Sequence, residues 1–126
     1  MRVSLVDKVV IVTGASRGLG AATAMAFARR GACVAVVARS RERLEEVAGR
    51  MGDGLVCPAD VRDRSQIDAA VKRVVDKWGR VDVLVNGAGM KLEGPVESVA
   101  VEDVMDTLAT NYVGALQFCQ AVLPSM

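Results

Sequence analysis

Four short apolar runs, most of them rich in β-branched residues, at positions 8–13, 33–37, 55–59 and 81–85, alternate with longer stretches whose apolar residues recur at helical spacing. Parallel strands need a long crossover between them, and that crossover is right-handed in nearly all proteins. The alternation therefore specifies βαβ units, and the fold class is α/β: a doubly wound parallel sheet, Rossmann-like, with helices on both faces. The first run, Val9-Val10-Ile11-Val12, has no polar member, as a strand covered on both faces requires. Ligands of such sheets sit beyond the carboxyl ends of the strands, where strand order reverses. All four runs end within a few residues of Gly, Asp, Asn or Arg.

The joints between runs carry helix signals. An alanine-rich stretch at 19–30 is expected to close on Gly31 as a left-handed cap. Ser40 is placed to cap the next helix, in which Leu44, Val47, Ala48 and Met51 share a face. Ser65-Gln66-Ile67-Asp68 matches a capping box, and the stripe Ile67, Ala70, Val71, Val74, Val75 and Trp78 that follows ends at Gly79. A last stretch brings Val101, Val104, Met105, Leu108 and Tyr112 to helical intervals and stays apolar to Leu123.

Composition narrows the chemistry. The chain has no histidine, which removes Ser-His and Cys-His hydrolysis, most zinc catalysis and any histidine base. Its three cysteines, Cys33, Cys57 and Cys119, are scattered among apolar neighbours and are expected to be buried thiols; neither a disulfide framework nor a metal site is expected. With 52% hydrophobic and 25% charged residues the 126-residue chain suits one globular domain over 1–126. A net charge of +1 with interspersed signs argues against nucleic acid or anionic lipid as partner. No apolar run approaches the ~20 residues of a membrane span, and the first residues lead toward a strand rather than a signal peptide, so a cytoplasmic location is expected.

The run at 8–13 feeds directly into Thr13-Gly14-Ala15-Ser16-Arg17-Gly18-Leu19-Gly20. Glycines at 14, 18 and 20, after a strand and before a helix, let a pyrophosphate approach free amides at the positive helix end, with Ser16, Arg17 and Leu19 beside it. Where NAD-binding folds end the second strand near an acidic residue, this chain has Ala38-Arg39, with Arg41 and Arg43 close by. Arg39 and Arg17 are therefore expected to accommodate a 2′-phosphate, favouring NADP over NAD. The competing reading is an ordinary tight turn with solvated arginines.

Together these residues bring the chain into resemblance with the short-chain dehydrogenases/reductases. Thr13 to Gly20 is similar to the family's TGxxxGxG, Asp60-Val61 to the pair after strand three, Asn86-Gly87-Ala88-Gly89 to NNAG, and Asn111, three residues before Gly114, to the helix asparagine. The resemblance implies that Asp60 accepts a hydrogen bond from the adenine amino group with Val61 alongside. It also implies that Asn86, Ala88 and Gly89 contact the cofactor, and that Asn111 supports a proton relay for hydride transfer with a small carbonyl or alcohol substrate. On the residues alone, Asp60 also reads as a turn residue and Asn111 as a chance polar residue in a helix. Gly87 departs from the pattern by lacking the second asparagine amide, which puts the local hydrogen bonding in doubt. The family's serine and its Tyr-x-x-x-Lys cannot be placed: the chain's one tyrosine, Tyr112, has Leu116 four residues on and is expected to be a packing residue. The resemblance thus implies the cofactor-binding half of an NADP-dependent oxidoreductase, incomplete at its C-terminus and inactive alone, from a full-length homo-oligomer. Strand four would then present a free edge and the last helix an uncovered apolar side. The alternative is a non-catalytic NADP-binding or dimerisation module.

Overall fold

A computed structural model describes residues 3–126; residues 1 and 2, at the head of the expected 1–126 domain and of the segment read for a signal peptide, lie outside the described residues. The chain alternates β1 (Val9–Thr13), α1 (Gly18–Ala28), β2 (Cys33–Ala38), α2 (Arg41–Met51), β3 (Leu55–Pro58), α3 (Arg64–Trp78) and β4 (Val83–Val85), then α4 (Val101–Leu108) and α5 (Gly114–Val122). A single π-helical turn, Ala109–Val113, joins the last two helices. All strands are parallel, in the order β3-β2-β1-β4, so the sheet is Rossmann-like and its order reverses between β1 and β4.

Alternation of side chains along β1 and β2 builds two cores. Val10, Val12, Val34 and Val36 face Ala21 and Ala24 of α1 and Leu44 and Val47 of α2. Val9, Ile11, Ala35 and Val37 face Ile67, Val71 and Val74 of α3 and Phe118 and Val122 of α5. The two central strands are therefore buried on both faces.

Helix starts and stops follow mostly from local chemistry. Ser40 caps α2 by accepting from Arg43 N at 3.4 Å, and Gly79 ends α3 in the left-handed region at φ 79°. The α3 cap is Asp63, two residues before the expected Ser65: its Oδ1 accepts from Ser65 N and Gln66 N at 2.9 and 3.2 Å, and Gln66 Nε2 donates back to Oδ2 at 2.9 Å. A carboxylate satisfies the first-turn amides better than a hydroxyl because its charge also complements the helix dipole. α1 stops at Ala28, and Gly31, at φ 84°, turns the chain two residues beyond the Arg29 cap rather than capping the helix itself.

β4 is shorter than its apolar run. Val81 N bonds to Ser125 O at 3.0 Å and Asp82 N to Val9 O at 2.8 Å before the ladder begins. The Asp82 carboxylate accepts from Val9 N at 2.8 Å and from Arg80 Nε at 2.9 Å, fastening the amino end of β1 to β4.

Cys57 alone of the thiols is buried; Cys33 is half-buried and Cys119 exposed, because Cys119 follows Phe118, the α5 residue turned into the core. β4 lies at the edge of the sheet. Opposite the core-facing Phe118 and Val122, a second apolar side of the last two helices meets no described element: Val101, Met105, Leu108 and Leu116 are exposed, and Tyr112 is 69% exposed. Tyr112 therefore packs on none of the described elements, contrary to the expectation of a packing residue. No helix among the described residues is long and apolar enough to cross a membrane.

Candidate functional site

At the reversal point two turns leave the sheet side by side. β1 and β4 are in register through Val12 and Val85, so the glycine turn and Asn86–Gly89 start at the same height. The Thr13 side chain joins them. Its hydroxyl accepts from Gly87 N and from Ala88 N, both at 3.1 Å, and lies 3.5 Å from Val85 O, to which it donates. Thr13 is only 1% exposed, the one buried polar residue among the described residues, and the sequence reading missed it as a site residue. The available signal was a hydroxyl closing an otherwise wholly apolar strand.

The turns approach so closely that side chains are excluded. A Cβ on Gly14, whose φ is +66°, would lie 2.3 Å from Gly87 O, and one on Gly20 would lie 2.1 Å from Gly14 O. Gly87 itself is pressed onto β1, where a Cβ would stand 2.6 Å from Thr13 O. With no side-chain amide at this position, the Gly87 main chain is held by its own N–H, which donates to Thr13 Oγ1 and to Val85 O, both at 3.1 Å.

α1 opens from this turn without a cap. Arg17, at its N-cap, is extended, no side chain accepts from the first-turn amides, and no acidic residue lies in that turn. The positive helix end and its N–H groups thus face outward, the arrangement that receives an anion. Ser16 is half-buried at the turn and Leu19, 88% exposed, forms its lip. Arg17 and Arg39 are exposed and make no ion pair among the described residues, whereas Arg41 lies 3.8 Å from Glu45. An open cleft of about 340 Å³ runs from Ser16, Arg17 and Gly18 between α1 and α2 to Glu46 and Arg50. It shares the glycine turn but lies on the flank, away from Asp60 and Asn86.

β2 and β3 deliver the next pair. Ala59 N bonds to Ala38 O at 3.0 Å, which sets the Arg39 and Asp60 segments next to each other. Asp60 N donates to Gln66 Oε1 at 2.8 Å, and the Asp60 carboxylate receives Arg62. That guanidinium, with a smaller contribution from Arg39, holds the Asp60 carboxyl below the usual carboxylate range against a partial burial that acts the other way. Val61 is buried in the core, where it meets the start of α5: a Cβ on Gly114 would lie 2.8 Å from Val61 Cγ2. Its side chain supports the site from below.

Asn86 is exposed, its Nδ2 3.5 Å from Cys119 Sγ. Past Gly89 the chain meets Asn111, which sits in the π turn rather than in regular helix. Asn111 Oδ1 accepts from Met90 N and its Nδ2 donates to Met90 O, both at 2.8 Å, so one side chain clasps both main-chain groups of Met90. Gly89 leaves room for this, since a Cβ there would touch Asn111 Oδ1 at 3.4 Å. The structure thus gathers the glycine turn, Asn86–Gly89 and Asn111 at the reversal point, with Arg39 and Asp60 along the same rim.

Residues 8–126 match the sequence profile of the family described as short chain dehydrogenase. D-threitol dehydrogenase of Mycolicibacterium smegmatis is 40% identical over 121 residues, covering 91% of this chain and 46% of that protein. L-sorbose reductase from Gluconobacter frateurii, solved with NADPH and L-sorbose, superposes with a TM-score of 0.94 at 30% identity, over 100% of this chain and 50% of its own. An alcohol dehydrogenase from the archaeon Thermococcus sibiricus, complexed with 5-hydroxy-NADP, gives 0.90 at 33% identity, over 94% and 52%. The chain spans about half the length of the relatives it matches.

Proposed function

The chain belongs to the short-chain dehydrogenase family, and from that premise we propose that residues 1–126 are the cofactor-binding domain of an NADP-dependent oxidoreductase acting on a small carbonyl or alcohol. The observation that carries this is the uncapped start of α1, reached through glycines that admit no Cβ, beside the second turn at the reversal point. Free amides at Gly18, Leu19 and Gly20 receive the pyrophosphate, with Ser16 at its side. Arg39 and Arg17, uncommitted to any acid among the described residues, take the 2′-phosphate, and the NADPH and 5-hydroxy-NADP of the two solved relatives support that choice. Asp60 accepts from the adenine amino group, with Val61 packed beneath it. Asn86, Ala88 and Gly89 line the path toward the nicotinamide.

When bound, the cofactor supplies the hydride that is exchanged with the substrate carbon. The chain's own residues hold it: Thr13 locks the two turns together, and Asn111 fixes Met90 and with it the exit of the Asn86–Gly89 loop. Asn111 supports the proton path from that position. The uncovered apolar side of α4 and α5 supports assembly of the full-length protein into a homo-oligomer.

Cofactor preference tests the reading. In the full-length protein NADPH is expected to bind about tenfold to a hundredfold more tightly than NADH, the worth of a charge-assisted contact. Arg39→Asp should erase that preference in titration calorimetry. Equal affinities in the unsubstituted protein would overturn the assignment to NADP.

A further inference from the structure

The Asp60 carboxylate is already heavily engaged. Arg62 N donates to its Oδ1 at 2.9 Å, Arg62 Nε to Oδ1 at 3.1 Å and Oδ2 at 3.3 Å, and Arg62 Nη2 to Oδ2 at 2.9 Å. The remaining guanidinium nitrogen, Nη1, stands 3.6 Å from Asp106 Oδ1 on α4. The far end of the fork thus also faces a second element. A carboxylate offers about four lone-pair directions. Three donors from Arg62 occupy the side facing the loop, which leaves about one direction free, opposite the fork.

Resting on the reading that places the adenine amino group at Asp60, we propose that Arg62 is the positioning residue for base selectivity. Its planar fork fixes the carboxylate so that the single free acceptor direction points at the base, and it satisfies the rest of the carboxylate's capacity. A 6-amino purine presents an N–H to that direction. A 6-oxo purine presents a second acceptor, which the fixed carboxylate cannot turn away from. Without the Arg62 side chain only the Arg62 main-chain N–H holds Oδ1. The carboxylate then rotates and hydrates, and it meets amino and oxo bases on nearly equal terms. The fork geometry is essential, because a lysine ammonium is a point donor that cannot hold both oxygens in one plane.

The experiment is titration calorimetry of the full-length protein with NADPH and with its deamino analogue, which carries hypoxanthine in place of adenine. The affinity ratio is the readout, since a merely loosened loop weakens both ligands alike. The unsubstituted protein should prefer the amino base by about tenfold, the scale of one hydrogen bond to a charged acceptor. Arg62→Gln and Arg62→Lys should each bring the ratio to within about threefold of one, and Asp60→Ala should abolish it. If both Arg62 variants keep or raise the preference while Asp60→Ala removes it, Arg62 has no positioning role and the adenine contact stands. If Asp60→Ala leaves the ratio unchanged, the adenine assignment itself fails, and the inference about Arg62 with it.

Discussion

Replacing Thr13 by valine keeps the shape of the side chain and deletes the atom that joins the two turns. Ala88 N donates to Thr13 Oγ1, and Gly87 N divides its bond between that oxygen and Val85 O. Thr13→Val therefore strands one amide and half-strands another. A buried donor left without an acceptor costs about 1–3 kcal/mol. Ala88 is half-buried, so water reaches its amide once the loop relaxes, and the sum settles near 2 kcal/mol. Against a total stability of about 5–15 kcal/mol that is a large fraction. Thr13→Ser, which keeps the oxygen and loses a methyl group, should cost about 1 kcal/mol or less. Guanidinium unfolding of the full-length protein gives the stability difference, and calorimetry should show weaker NADPH binding for the valine variant, because its turns are no longer held together. If Thr13→Val is as stable as Thr13→Ser within about 0.5 kcal/mol, the hydroxyl does not join the turns energetically and the reasoning fails.

The same turns make two alanine substitutions unequal. Gly14→Ala puts a Cβ against the Gly87 carbonyl in a left-handed backbone and should cost more than about 3 kcal/mol with loss of cofactor binding; Gly18→Ala, also left-handed but in open space, should cost about 1–2 kcal/mol. Denaturant midpoints of the two variants check this, and equal losses would show that proximity to Gly87 is irrelevant. At the other end of the sheet the Asp82 carboxyl is held below the ordinary carboxylate value, first by the Val9 N–H and then by Arg80 and Lys8. A lowered folded-state value means that the stabilisation is present above the unfolded value and disappears as pH falls through the folded one. The stability gap between the unsubstituted protein and Asp82→Asn should thus narrow from about pH 4 downward, and a gap unchanged between about pH 7 and pH 2.5 would refute the account.

The layers of this fold were readable because each depends on local period: successive residues of β1 enter opposite cores, and Ser40 and Gly79 act within one turn of themselves. What escaped was set by competition or distance. Two overlapping capping patterns lie at Asp63 and Ser65, and periodicity cannot rank them, whereas charge at the helix end does. Thr13 acts on residues 74 and 75 positions away, and Asn111 on one 21 positions away. The π turn adds a residue per turn without breaking the apolar pattern, so Asn111 looked like part of an ordinary helix. The exposure of Tyr112 was not legible because helical spacing reveals which residues share a face but not what covers it. The glycine turn between β1 and α1 was legible; that Gly87 closes against it was not, since the contact is between main chains.

The pairing of Val12 with Val85 also bears on where this chain tolerates insertions and deletions. One residue added between Val83 and Ala88 would advance the second turn by about 3.3 Å and reverse the face of everything beyond it. The Thr13 hydroxyl would then meet a carbonyl or nothing in place of two amides. The exposed stretch from 91 to 100 carries no such registration and can lengthen freely. Spacing within the rim is thus as much a part of the candidate site as the residues that form it.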